Sequence, residues 1–214
     1  MPAARRRRVV AVPRMGGGAR GRRRAPLADA LAAELVADGL PDRYALFGHS
    51  MGALIAFELA RRLPRAGRPP PIALYVSAHR APHVPDPVPV AAHRFDDAEL
   101  IARLRELQGT PEEVLSDPEL RAVALPTIRA DFAVCETYAL DPGPPLDCPV
   151  VVYLPGDDDR ISVEDARGWE RHTTGPFALV RLRGDHFFLR SDPGELLADL
   201  AARLRQVAAR GHAP

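Results

Sequence analysis

The sequence predicts an α/β fold in which a mostly parallel sheet is covered by helices on both faces. Three observations predict it. Short apolar runs alternate with helix-like stretches along most of the 214 residues, the pattern of βαβ units. A GxSxG pentapeptide, Gly48-His49-Ser50-Met51-Gly52, joins one such run to one such stretch. Acidic and histidine residues then follow the last two runs, in the order that a serine nucleophile requires.

The elements follow in order. Arg8 to Pro13 reads as a short buried strand, Leu27 to Ala37 as an amphipathic helix, Tyr44 to Phe47 as the strand before the pentapeptide, and Met51 to Leu63 as the helix after it. Ile72 to Ser77 is the next strand. Three helical segments follow with no strand between them, Asp96 to Leu107, Pro111 to Leu115 and Pro118 to Tyr138. This break in the alternation predicts a helical insertion over residues 95–140, a lid above the strand ends where ligands bind in such sheets. Strand signals resume at Pro149 to Leu154 and Phe177 to Leu182, separated by a helix around Val163 to His172, and a last helix runs from about Pro193 to Val207.

Hydrophobic content of 46% and charged content of 27% suit one domain spanning residues 1–214. No apolar stretch approaches the ~20 residues of a membrane span, and the N-terminal charge lacks the apolar region of a signal peptide. A cytoplasmic location and no membrane partner are expected. Cys135 and Cys148 stand in unrelated contexts without CxxC spacing, so two buried thiols are expected rather than a disulfide or a metal site. The net charge of +1 conceals an arginine-rich front, Arg5 to Arg8, Arg14, Arg20 and Arg22 to Arg24. Without interleaved aromatics, and in a chain with no lysine at all, compositional bias is a better account of it than a nucleic-acid partner.

The pentapeptide carries the chemistry. At a sharp strand-to-helix turn a serine is held in a strained backbone, and small residues such as Gly48 and Gly52 let strand and helix close around it. An ordinary glycine-rich turn is the alternative, but the strand before and the helix after favour Ser50 as a nucleophile. A serine hydroxyl is too weak an acid to attack unaided; an imidazole must take its proton and a carboxylate must hold that imidazole. After the strand ending at Leu154 comes Gly156-Asp157-Asp158-Asp159, and after that ending at Leu182 comes Gly184-Asp185-His186. One aspartate of the triplet and His186 can supply both roles. Asp159, third after Gly156, is the choice made from the sequence. A loop cap or weak cation site is the other reading of the triplet. The remaining histidines, His49, His79, His83, His93, His172 and His212, read mostly as surface or helix residues.

From about Arg22 onward the chain resembles the type II thioesterases encoded beside polyketide synthases and nonribosomal peptide synthetases. The resemblance is carried by Phe47 to Ala53, Val76 to His83, Leu104 to Leu115, Leu125 to Tyr138, Asp147-Cys148-Pro149, Gly156 to Asp159, Trp169, His172 to Phe177 and His186 to Leu189. It implies the α/β-hydrolase fold with a helical lid. It also implies hydrolysis of acyl groups from the phosphopantetheine arm of acyl or peptidyl carrier proteins, the editing of antibiotic assembly lines, with no metal or other cofactor. By the same resemblance Ser50 is the nucleophile, His186 the base and Asp159 its partner. An acidic carrier protein is the expected partner, steered by arginines near the site.

The resemblance departs from the family at the front. Members carry an early strand ending in a Pro-His-Ala-Gly-Gly loop, whose N–H is an oxyanion-hole donor beside that of the residue after the serine, here Met51. Val9 to Ala19 reads either as that loop, with Arg14 in the histidine's place and Met15 as donor, or as the following strand. Its spacing to Ser50 suits the second, so the first strands of the fold are expected to be missing. Two other functions stay open: a general carboxylesterase with the same triad, or a truncated remnant that only binds carrier protein.

Overall fold

The computed structural model describes residues 8–11, 25–87 and 90–210. Five parallel strands form one sheet in the order of their sequence: β1 (Arg8–Ala11), β2 (Tyr44–His49), β3 (Leu74–Ser77), β4 (Val150–Pro155) and β5 (Phe177–Leu182). The register pairs His49 with Ser77 and Ser77 with Tyr153, so the strands end at one common edge. The segments that follow β2, β3, β4 and β5 therefore meet there, the place where ligands bind in open parallel sheets.

Side-chain alternation along the strands builds two cores. Tyr44, Leu46, Leu74, Val76, Val150 and Val152 face one way, into a cluster with α2 (Met51–Arg62) and residues of α1 (Ala25–Ala37). Ala45, Ala73, Tyr75, Val151 and Tyr153 face the other, against Leu196 and Leu200 of α8 (Gly194–Arg210). Period-two alternation with both faces covered is what parallel strands require. Every residue of β4 is buried, which accounts for its unbroken apolar sequence.

Between β3 and β4 lie α3 (Asp97–Leu107), α4 (Glu112–Ser116) and α5 (Pro118–Glu136). They build a third cluster from Ala92, Leu100, Leu104, Leu115 and Leu125. Asp96 caps α3 through a capping box with Glu99, and the Asp117 carboxylate accepts from the N–H groups of Glu119 and Leu120 at the start of α5, the local chemistry that starts each helix. The helix expected to run to Tyr138 ends at Glu136. Beyond it the Tyr138 hydroxyl donates to the Glu58 carboxylate at 2.6 Å, which ties the exit of α5 to α2.

The helix expected over Val163 to His172 is divided into α6 (Val163–Arg167) and a 3-10 turn over Gly168–His172. A Cβ at Gly168 would stand 2.9 Å from that of Ala81, so the glycine lets the chain pack closely there. The four-residue α7 (Phe188–Ser191) has no counterpart among the expected elements, being too short to show a period. Arg14 and Met15, offered above as an oxyanion loop, and His212 lie outside the described residues.

Candidate active site

Ser50 occupies the turn between β2 and α2 with φ 54° and ψ −126°. Only a non-glycine residue strongly held by its surroundings keeps such a backbone, at a cost of about 1–3 kcal/mol. The constraint comes from Gly48 and Gly52. A Cβ on Gly48 would lie 2.0 Å from the Gly52 carbonyl oxygen, so strand and helix approach as closely as two backbones can. Ser50 N–H donates to the Ser77 carbonyl at 2.8 Å, which fixes the turn to the end of β3.

The hydroxyl of Ser50 lies 3.0 Å from Nε2 of His186, and Nδ1 of His186 lies 2.6 Å from Oδ2 of Asp158. Ser50 and His186, the nucleophile and base expected from the sequence, stand side by side, and the carboxylate that faces the imidazole is that of Asp158 where the sequence reading chose Asp159. Asp158, whose side chain is fully buried, faces the imidazole, whereas Asp157 and Asp159 are exposed. The reason lies in the chain path. Gly156 N–H bonds to the Leu182 carbonyl and Asp157 N–H to that of Gly184, so the loops after β4 and β5 stay paired past the strand ends. Only the middle residue of the triplet then turns its carboxylate toward His186. Three identical side chains in a row give sequence reasoning no signal to choose among them.

Burial pushes the Asp158 carboxyl up, but the hydrogen bond and charge of His186, with the N–H and guanidinium of Arg160, outweigh it; the net direction is down. The carboxylate thus stays ionised and accepts the Nδ1 proton, leaving Nε2 free to accept from Ser50.

The His186 ring is flanked by His49, centroid to centroid 5.3 Å, and edge-on by Phe187 at 5.1 Å. His49 in turn bonds through Nδ1 to the Ser77 hydroxyl at 3.2 Å. Met51 begins α2, so its N–H has no acceptor within the helix and stands at the positive end of its dipole.

A cavity of about 450 Å³ opens at Ser50 and His186. Leu104, Ile128, Phe132 and Cys135 of the inserted helices wall it, the last three lying on one face of α5 at helical spacing. Its size and largely apolar wall suit a small-molecule or acyl site.

Three of the histidines read from the sequence as surface or helix residues are half-buried and hydrogen-bonded. His79, on the cavity wall, bonds through Nδ1 to the Arg80 carbonyl at 2.7 Å, and burial lowers its pKa to about 4. His83 and His172 share a hydrogen bond of 2.8 Å, with burial lowering His172 to about 4 as well. Cys135 and Cys148 are both free thiols, pushed up to about 12 by burial. Among the described residues no group of three or more His, Cys, Asp and Glu could hold a metal ion, and no helix is long and apolar enough to cross a membrane.

Comparison with known proteins gives a consistent picture. The thioesterase domain family matches residues 5–204. The RedJ thioesterase of the prodiginine pathway in Streptomyces coelicolor is 40% identical, with a TM-score of 0.75 over 84% of this chain and 67% of that one. BorB, a type II thioesterase from the borrelidin biosynthetic cluster, is 43% identical with a TM-score of 0.71 over 83% of this chain and 73% of its own. Thioesterase PikA5 of Streptomyces venezuelae is 40% identical over 163 residues, 76% of this chain and 57% of PikA5. The chain spans from 57% to 66% of the length of the first curated relatives it matches.

Proposed function

The chain belongs to the thioesterase domain family, and on that premise we propose that it hydrolyses acyl groups from the phosphopantetheine thioester of a carrier protein, as an editing enzyme of polyketide or nonribosomal peptide assembly. The observation that carries this reading is the continuous hydrogen-bonded series from Ser50 through His186 to Asp158 at the mouth of the apolar cavity. Residues 95–140 act as the lid of a single domain.

The reaction proceeds in two halves. Ser50 Oγ attacks the thioester carbonyl carbon while Nε2 of His186 takes its proton, and the Met51 N–H donates to the oxygen that becomes negative. As the tetrahedral intermediate collapses, the C–S bond breaks, the proton on Nε2 passes to sulfur, and the free carrier thiol departs. Water then attacks the acyl ester of Ser50, again giving a proton to Nε2, and the acid leaves as that proton returns to Ser50. Through both halves Asp158 accepts the Nδ1–H bond and offsets the charge of the imidazolium. The apolar lid residues Leu104, Ile128 and Phe132 on the cavity wall take the acyl chain.

The test is release of acid from an acyl-phosphopantetheinyl carrier protein by the purified chain, beside its Ser50→Ala variant. Turnover that vanishes in the variant is expected. A folded protein that cleaves small oxygen esters through Ser50 but ignores the carrier thioester is instead a general carboxylesterase, and one that does neither is a non-hydrolytic carrier binder.

A further inference from the structure

The end of α3 and the turn after it, residues 107–110, are fastened to the two loops that carry His186 and Asp158. Arg160 is the centre of this fastening. Its N–H donates to Asp158 Oδ1 at 3.2 Å, its Nη2 donates to the Leu107 carbonyl at 3.2 Å, and its guanidinium lies over the Phe187 ring at 5.4 Å from the centroid. A second arginine, Arg190, donates from Nη1 to the Gly109 carbonyl at 3.3 Å. Phe187 fills the space between: it meets the His186 imidazole edge-on, and its ring edge enters the gap left by the missing side chain of Gly109. A Cβ at Gly109 would stand 2.3 Å from Phe187 Cζ and 2.7 Å from Cε1.

Gly109 has no left-handed backbone, so the demand for glycine there is one of space and not of conformation. Gln108 beside it supplies the left-handed residue that ends α3. The ring of Phe187 thus has three fixed boundaries, Gly109 at its edge, Arg160 on its face and His186 across from it. Cation and ring together resist displacement because the guanidinium plane is itself held by the Leu107 carbonyl.

We propose that Phe187 and Arg160 are positioning residues that transmit the seating of the 107–110 turn to the His186 imidazole, so that the Ser50–His186 contact is set only while the lid is seated. This rests on Ser50 being the nucleophile activated by His186. Neither residue touches the reacting atoms; both act through the plane of the imidazole. A proton acceptor displaced by about an ångström loses on the order of 10- to 100-fold in rate.

The experiment follows the rate at which a small fluorophosphonate, which needs neither lid pocket nor carrier protein, modifies Ser50. It compares the wild type with Gly109→Ala, Phe187→Ala, the double variant, Arg160→Ala and Arg160→Lys, with thermal unfolding of each. Gly109→Ala and Phe187→Ala are each expected to slow modification about tenfold or more with midpoints within a few degrees of the wild type. The double variant should be no slower than Phe187→Ala alone, because the methyl group then meets no ring. Arg160→Ala should slow modification and Arg160→Lys restore only part of it. Unchanged rates, losses that add in the double variant, or rates that fall only in step with the thermal midpoint overturn the proposal. If Gly109→Ala does not fold, Phe187→Ala and Arg160→Ala decide by the same criteria. A wild type that is not modified at all removes the nucleophile assignment itself, a result distinct from equal modification of every variant.

Discussion

Replacing Asp158 by asparagine isolates the charge of one oxygen pair in an otherwise preserved geometry. Asp158 Oδ2 sits 2.6 Å from His186 Nδ1 with its side chain wholly out of water. When His186 takes the Ser50 proton, the imidazolium and the carboxylate attract each other. With charge centres about 4 Å apart and an effective dielectric constant of about 20, that attraction is about 4 kcal/mol. An amide removes it, and one that turns its NH2 toward Nδ1 also reverses the tautomer. At about 1.4 kcal/mol per factor of ten, the rate should fall about 10³-fold or somewhat more. Asp159→Asn, at an exposed position one residue on, should stay within about twofold of the wild type, as surface changes usually do. The assay is single-turnover hydrolysis of an acyl-carrier thioester, with Ser50 modification by a fluorophosphonate as an independent readout. If Asp158→Asn keeps more than about a tenth of the rate, or if Asp159→Asn falls as far, the assignment of the carboxylate and the electrostatic argument both fail.

Other perturbations test the frame around the site. Gly48→Ala forces a methyl group against the Gly52 carbonyl at 2.0 Å, and urea denaturation should show a loss of about 3 kcal/mol or no folded protein at all; a change under about 1 kcal/mol would mean the turn yields easily. Glu58, buried on α2, accepts from Arg61, Arg62 and the Tyr138 hydroxyl; Glu58→Ala leaves the buried Arg61 without its carboxylate while Arg62 keeps Asp29, and should cost about 3 kcal/mol, with Glu58→Gln milder. His79 and His172 have folded pKa values of about 4, set chiefly by burial, against an ordinary 6.5. The unfolded chain therefore binds their protons first as pH falls, and stability should decline between about pH 6.5 and 4, by at most about 1.4 kcal/mol per unit for His79 and by less for the half-exposed, solvent-screened His172. Urea midpoints across that range should show a slope that His79→Gln reduces; a slope unaltered by that change would place the protonation elsewhere.

The frame of the molecule was legible because its signals are local and periodic. Tyr44 to Phe47 and β4 are short unbroken apolar runs, as strands buried on both faces require, and the capped stretches Asp96 to Leu107 and Pro118 to Tyr138 are long enough to be helices, so the strands and the inserted helices stand close to where these signals place them. Gly48-His49-Ser50-Met51-Gly52 was equally plain, since the close contact of Gly48 with the Gly52 carbonyl is made within five residues. His186 could be picked from seven histidines by its place after the last strand.

The structure alone decided what depends on register between distant segments. Which aspartate of the triplet meets His186 follows from the pairing of Asp157 with Gly184, and the partnership of His83 with His172 joins positions 89 residues apart. The contact of Gly109 with Phe187, and the reach of Arg160 to Leu107, are of the same kind. A period in the sequence states which face of an element is apolar. It does not state which residue on another element that face will meet, because that is fixed by how the strands slide into register and how the helices settle on them. The sequence by itself therefore determined the sheet, its helices and the serine and histidine at its edge, while tertiary packing selected which aspartate faces that histidine and joined the 107–110 turn to it.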